Sequence, residues 1–91
     1  MAATKPLYLK AFTVHDHTDI DIIKKDIQNG LILIIRVGPM SQKDIQELRS
    51  MVEELYTITK QEDAEIARLG DERIIIAPKD VRIWKPDYEL K

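Results

Sequence analysis

Two kinds of spacing between apolar residues predict the elements in the first third of the chain. Residues 7–14 (LYLKAFTV) alternate loosely and are rich in β-forming side chains, which predicts a strand. Isoleucines recur at helical spacing over residues 20–27, which predicts a first helix. Thr18 is the expected N-cap of this helix, and Gly30 is the expected residue just after its end.

The rest of the pattern predicts a second helix and further strands. Residues 31–37 (LILIIRV) are almost continuously apolar, as in a central strand that is buried on both faces. Ser41 is the expected N-cap of the second helix, whose apolar residues keep helical spacing to about Thr59. Shorter apolar segments follow, which predict a hairpin and a final short strand: residues 65–69, 73–77 and 81–84.

The order of these elements indicates a single α/β domain over residues 1–91. The order β-α-β-α-β-β-β, with short connections, fits a two-layer sandwich in which two helices pack on one face of a five-stranded mixed sheet. We expect the ordered core to span about residues 7–84. Both tails are expected to be flexible, because they are polar and carry Pro6 and Pro86.

Composition narrows the class of protein further. The chain has no cysteine, a formal net charge of −2 and a sequence pI near 5.6. These values exclude a disulfide scaffold and a thiolate metal site, and they argue against nucleic acid as a partner, which requires a concentrated basic face. No apolar run reaches the ~18 residues of a membrane span, so we expect a soluble intracellular domain. Its 14 isoleucines and many charged residues, with few amides, are a weak sign of a thermophilic source.

The chain carries more apolar surface than two helices and one sheet can bury. On the second helix, Met51 and Ile58 flank a stripe that includes Leu55 and widen it to roughly 160°, against the ~100° that one sheet needs. On the central strand, Ile32 and Ile34 point away from their neighbours. A two-fold axis lets one apolar patch cover itself, so we expect a homodimer through the open sheet face or through the second helix. The alternative is that loops and termini cover this face.

One cluster has the composition of a metal site. His15 and His17 would share one side of an extended segment. Asp16 and Asp19 add carboxylates, and zinc accepts both ligand types. The segment directly precedes a helix, where acids favour the helix dipole and Thr18 caps, so we expect capping and no metal. No serine lies beside a base and no glycine-rich loop is present, so we expect neither an enzyme nor a cofactor.

A cation beside an apolar strand suggests a binding site for a peptide. Arg68 shares a strand face with Ile66 and lies close to the apolar run at residues 74–76. A cation at the edge of an aliphatic groove suits a short peptide that carries apolar anchors and an acid or a terminal carboxylate. An exposed arginine on a strand is more often a solvated charge, and this alternative stays open. The candidate peptide-binding residues are Arg68, Ile74, Ile66 and Ile76.

The ordered set of these elements resembles a known family. Residues 66–84 (IARLGDERIIIAPKDVRIW) and residues 30–44 (GLILIIRVGPMSQKD), with the helix that follows, are similar to the core domain of the cell-division protein SepF in its archaeal form. The resemblance runs from about Ala11 to Trp84. It rests on the element order, the glycine-containing hairpin and the closing apolar-Ala-Pro sequence, and not on one short motif.

The resemblance implies a non-enzymatic adaptor. Members of the family dimerise, bind the C-terminal tail peptide of the tubulin-like protein FtsZ, and tether its filaments to the membrane through an N-terminal amphipathic helix. In the family, a basic residue on the strand before the hairpin and an apolar residue that opens the next strand line the peptide pocket. These positions match Arg68 and Ile74. The resemblance therefore implies a cytoplasmic homodimer at the inner face of the membrane, at the division site.

Two departures from the family pattern limit this expectation. Bacterial members carry a glycine just before the hairpin strand, where their dimers polymerise, and Ala64 stands there in this chain. We therefore expect a plain dimer. Met1–Lys10 is too short for the membrane helix and is interrupted by Pro6, so we expect membrane contact to be indirect or to come from a helix absent from this chain.

A different class of function is compatible with the same fold. Small α/β domains that dimerise also bind small molecules at the seam between the two copies. A regulatory domain of this kind predicts a closed polar pocket at the interface, and the sequence offers few buried polar residues to build one.

Overall fold

The structure, a computed structural model, describes residues 6–84. The terminal segments expected to be flexible therefore lie largely outside the described residues, at positions 1–5 and 85–91. Within the described part, four strands are joined by three α-helices and one short 3₁₀ turn. In chain order the elements are β1 (Leu9–Thr13), the 3₁₀ turn (His17–Asp19), α1 (Ile20–Gln28), β2 (Ile32–Arg36), α2 (Gly38–Lys43), α3 (Ile45–Gln61), β3 (Glu65–Leu69) and β4 (Arg73–Ala77).

The four strands form one mixed sheet in the order β1-β2-β4-β3. β1 and β2 are parallel, whereas β2 pairs with β4, and β4 with β3, in antiparallel register. The parallel pair requires a crossover connection, and α1 provides it. The expected α/β class, with helices packed on a mixed sheet, is confirmed.

The expected fifth strand at residues 81–84 is wrong, because the sheet has four strands in the described part of the chain. The chain leaves β4 through a turn in which Asp80 has a φ of 73°. The Ile83 N–H then donates to Glu65 Oε1 at 2.9 Å, and Arg82 Nη1 donates to Glu65 Oε2 at 3.2 Å. The Glu65 side chain thus accepts the Ile83 N–H, which in a fifth strand would donate to a main-chain carbonyl of the neighbouring strand.

One face of the sheet carries the hydrophobic core. Leu33 and Ile35 of β2, with Ile74 and Ile76 of β4, are at most 1% exposed and pack in one cluster with residues of the helices. Strand side chains alternate between faces, so the residues between them point to the other side, where they are only partly buried. We call that second surface the open face, and its apolar strand residues are Leu9, Ala11, Ile32, Ile34, Ala67, Leu69, Ile75 and Ala77.

The start of α1 differs from the expectation, and its end agrees. Asp16, and not Thr18, is the N-cap of the 3₁₀ turn. Hydrogen bonds from the Thr18 hydroxyl and from the Thr18 N–H lower the pKa of Asp16 below its usual value. Asp19 completes a reciprocal capping box with Asp16. Gly30 follows the end of α1 with a φ of 83°, a left-handed conformation that glycine adopts without strain.

The second predicted helix is in fact two helices. Ser41 lies inside α2, and its N–H donates to the Val37 carbonyl at 2.8 Å, so its expected role as the N-cap of the long helix is wrong. Asp44 separates the two helices, because its backbone is extended, with a φ of −156°. Its Oδ1 accepts the Glu47 N–H at 3.0 Å and thereby caps α3, which continues to Gln61.

Replacing Asp44 by alanine removes this cap, and we expect it to lower the free energy of unfolding by about 1 kcal/mol. Gln46→Ala is the matched control, because Gln46 is exposed in the same turn and makes no cap. Urea denaturation followed by circular dichroism measures both variants. An equal stability of the two variants would contradict the assignment of Asp44 as the cap.

Candidate functional site

The four residues predicted to bind a peptide lie on one face of the β3–β4 hairpin. Arg68 pairs with Ile74 and Ile66 pairs with Ile76, so all four point to the side of the sheet that the helices cover. Ile74 and Ile76 have no exposed surface, Ile66 is partly buried and Arg68 is exposed. Only Arg68 and part of Ile66 can therefore touch a ligand, and the other two support the hairpin from the core.

A groove of about 540 Å³ opens between α3 and the edge strand β3, and we call it the α3–β3 groove. Its α3 wall is apolar, because Ile45, Leu48 and Val52 recur at helical spacing and share one side of the helix. Ile45 is 46% exposed although its side chain is large and aliphatic. The wall thus offers apolar surface that the core does not use.

Charged side chains surround this apolar wall. Arg49 on α3 and Arg68 on β3 line the groove together with Glu53 and Asp71. Arg68 Nη2 reaches the main-chain carbonyl of Asp71 at 3.4 Å, and no ion pair within residues 6–84 engages either arginine. Both guanidinium groups therefore keep donors for a carboxylate, whose geometry matches their planar fork.

Sequence reasoning finds Arg68 but misses the α3 wall of the groove. Helical spacing alone assigns Ile45 and Val52 to the core stripe, and it gives Arg49 no special place. The available signal is an apolar stripe wider than one sheet needs, with Arg49 four residues after Ile45 and therefore beside it on the helix. Because β3 is an edge strand, part of this stripe remains open to a ligand.

The residues predicted at a dimer interface separate into two groups. Met51 and Leu55 are each 1% exposed and Ile58 is 6% exposed, since all three belong to the core of the chain itself. They have almost no area left to bury against a second copy, so these three residues cannot supply a dimer interface. Ile32 and Ile34 instead lie on the open face and are partly buried. One apolar row there crosses all four strands: Ala11, Ile34, Ile75 and Ala67.

The cluster of histidines and aspartates forms hydrogen bonds within the 3₁₀ turn, and through His17 it also contacts α3. The His17 N–H donates to Glu47 Oε2 at 2.9 Å, and the His17 ring Nε2 lies 2.6 Å from Glu54 Oε1. Asp19 Oδ2 accepts the His15 N–H at 2.8 Å. Within residues 6–84 no group of three or more His, Cys, Asp or Glu is placed to hold a metal ion. In the same range no helix is both long enough and apolar enough to cross a membrane.

Comparison with known proteins identifies a family and a set of structural relatives. A family model described as cell division protein SepF matches residues 9–83. No curated protein matches the chain.

Three solved structures share the fold at low sequence identity. A SepF-like protein from Pyrococcus furiosus is 20% identical with a TM-score of 0.81, and the match covers 91% of this chain and 100% of that one. A SepF-like protein from Archaeoglobus fulgidus is 19% identical with a TM-score of 0.79, and the match covers 86% of this chain and 93% of that one. The cell division protein SepF from Methanobrevibacter smithii, in complex with FtsZ-CTD, is 17% identical with a TM-score of 0.75, covering 87% of this chain and 99% of that one.

Residues of the hairpin differ in burial, so substitutions at buried positions are expected to affect stability and substitutions at exposed positions are expected to leave the fold intact. Ile74→Lys is expected to unfold the protein, because an unpaired charge in the core costs several kcal/mol, a large part of the stability of a small domain. Arg68→Glu changes an exposed side chain and is expected to alter the free energy of unfolding by less than about 0.5 kcal/mol.

Ile75→Lys is the control for the first of these variants, since Ile75 lies one residue further along β4 on the open face and is partly buried. We expect Ile75→Lys to remain folded, with a thermal midpoint below that of Arg68→Glu, measured by circular dichroism. An Ile74→Lys protein as stable as Ile75→Lys would contradict the assignment of faces on β4.

Proposed function

Because the chain belongs to the SepF family of cell division proteins, we propose that it is a non-enzymatic adaptor that binds the C-terminal tail of FtsZ in the α3–β3 groove. The observation that carries this proposal is the groove, in which an apolar helix wall meets two arginines without an ion-pair partner in residues 6–84. The complex of a relative from Methanobrevibacter smithii with FtsZ-CTD supports the choice of partner.

The chemistry of the groove suits an acidic peptide with apolar anchors. Aliphatic side chains of the peptide pack on Ile45 and Val52, which removes apolar surface from water on both partners. Arg49 and Arg68 approach from the helix and from the strand, and each can form a charge-assisted hydrogen bond with a carboxylate. Glu53 and Asp71 repel a peptide whose acids lie in the wrong register, so they contribute selectivity.

We further propose that the functional unit is a homodimer formed through the open face. The open face carries a continuous apolar row, and a sheet face left in water is an interaction site or a liability. A two-fold axis covers such a face with a second copy of itself. The α3–β3 groove lies on the helix side, so this dimer presents two grooves that point away from its interface.

The proposed place of action is the division site, at the cytoplasmic face of the membrane. In this arrangement the dimer links FtsZ to the membrane, and the membrane contact comes from a partner or from an amphipathic segment outside residues 6–84. The proposal rests on family membership and on the resemblance of residues 11–84 to SepF.

Charge reversal on either side of the groove tests peptide binding. Arg68→Glu and Arg49→Glu are each expected to weaken the binding of an FtsZ C-terminal peptide by about tenfold or more, because each loses a charge-assisted hydrogen bond and gains repulsion. Fluorescence anisotropy with a labelled peptide measures the dissociation constants.

Lys24→Glu is the matched control, because it makes the same change of charge at an exposed position on α1. The groove assignment fails if all three variants bind with wild-type affinity. If no FtsZ peptide binds, and native mass spectrometry instead finds a small molecule retained by the dimer, the protein is a ligand-binding regulatory domain.

A charge in the apolar row tests the dimer. Ile34→Lys is expected to convert the dimer to a folded monomer of 10.6 kDa at low micromolar concentration, because the lysine would be buried without a partner at the interface. Ile22→Lys on α1 is the control, since Ile22 is 44% exposed and lies away from the open face. Sedimentation velocity gives the mass of each variant. A wild-type protein that sediments as a monomer under these conditions would refute the proposed dimer.

A further inference from the structure

Two arginines face each other across the central strands of the sheet. Arg36 on β2 pairs directly with Arg73 on β4, and both are exposed on the side of the open face. The next pair along is hydrogen-bonded, since the Val37 N–H donates to the Glu72 carbonyl at 2.8 Å. Arg36 and Arg73 therefore occupy a pair without main-chain hydrogen bonds, the position at which opposed side chains come closest.

This pairing of two like charges has an energetic cost. Like charges directly opposite each other in an antiparallel pair are destabilising. Within residues 6–84 no ion pair joins either guanidinium to an acid. An anion placed between the two guanidinium groups would remove the repulsion and replace it by charge-assisted hydrogen bonds.

A cleft of about 390 Å³ is lined by both arginines and by a further hydrogen-bond donor, the Thr13 hydroxyl. Thr13 on β1 is the register neighbour of Arg36, so a hydroxyl and two guanidinium groups stand in one row on three adjacent strands. Glu72 is the acid that lines this cleft, and its carboxylate lies against Gly38, 3.6 Å from the point where a Cβ would stand. Among residues 6–84 the lining of the cleft carries two cations and one carboxylate, and therefore an excess positive charge.

We propose that Thr13, Arg36 and Arg73 form a binding site for a phosphoryl group. A tetrahedral phosphate presents oxygens in several directions, which suits donors that come from three strands, and each guanidinium can bind two oxygens side by side. The site lies on the opposite side of the sheet from Arg68, whose residue pair Arg68–Ile74 faces the helices. It is therefore separate from the α3–β3 groove and does not depend on FtsZ binding. Thr13, Arg36 and Arg73 form the last paired row of the sheet, so the cleft opens at the end of the strands, at the rim of the face that the proposed dimer buries.

Thermal denaturation in inorganic phosphate, compared with sodium chloride at equal ionic strength, tests the site. Phosphate stabilises most proteins by exclusion from their surface, so the informative quantity is the difference between variants. We expect Arg36→Gln and Arg73→Gln to lose the specific rise in midpoint that the wild type shows, and Lys24→Gln, an exposed control on α1, to keep it.

Spectroscopic titration gives the affinity and the position of the anion. In NMR spectra of the wild type, the Arg36 and Arg73 Nε–H signals and the Thr13 amide are expected to shift together with added phosphate. Each arginine variant is expected to bind phosphate about tenfold more weakly, and Glu72→Gln more tightly, because it removes the carboxylate of the cleft.

A second experiment identifies the source of the phosphoryl group by measuring binding to vesicles of phosphatidylglycerol or phosphatidylcholine. Binding of phosphatidylglycerol vesicles that requires both arginines identifies a lipid headgroup, and a response to free phosphate without vesicle binding identifies a soluble ligand. Both outcomes support the site. The proposal is overturned if the arginine variants respond as Lys24→Gln does to both phosphate and vesicles. It is also overturned if the arginine signals shift with protein concentration and not with phosphate, since a carboxylate of a second copy would then occupy the cleft.

Discussion

The antiparallel pairing of β2 with β4 is the constraint on which the rest of the molecule depends. It sets Leu33 opposite Ile76 and Ile35 opposite Ile74, four side chains with almost no exposed surface. Because strand residues alternate, this register also decides which residues face the helices and which face away. A slip of one residue would turn Arg73 toward the core and expose Ile74 and Ile76, so the register is strongly fixed. This register also places the α3–β3 groove and the cleft at Arg36 and Arg73 on opposite sides of the sheet.

The alternation of the hairpin and the end of α1 could be predicted from the sequence, because each depends on local chemistry. Gly30 ends α1 because glycine adopts a left-handed backbone conformation without strain. The side chains of β4 point alternately to the two faces of the sheet, regardless of what packs on them. The start of α3 could not be predicted in this way. Both Ser41 and Asp44 are good caps, and the choice between them depends on whether α2 forms in the segment between β2 and Asp44. The missing fifth strand has a similar origin, since it depends on the distant side chain of Glu65.

The same distinction explains what could be predicted of the α3–β3 groove. Arg68 is visible in the sequence because a charged residue interrupts an apolar pattern on a strand. Ile45 fits its helical pattern perfectly well and becomes notable only when β3 proves to be the edge of the sheet, which leaves part of α3 uncovered. Strand order is a tertiary property, and helical periodicity does not encode it. The same holds for Arg36 and Arg73, which become neighbours only through the register of β2 and β4.

The separation of β2 and β4 along the chain has a kinetic consequence. The strand that completes the core against β2 is synthesised only after α2, α3 and β3. Leu33 and Ile35 therefore stay without their partners until β4 has been synthesised, and closing the long intervening segment is an entropic barrier. During that time β2 is an apolar strand with an unpaired edge, the kind of segment that associates with other unfinished chains. The pairing that fixes the native register thus also leaves β2 open to wrong association until β4 has been synthesised.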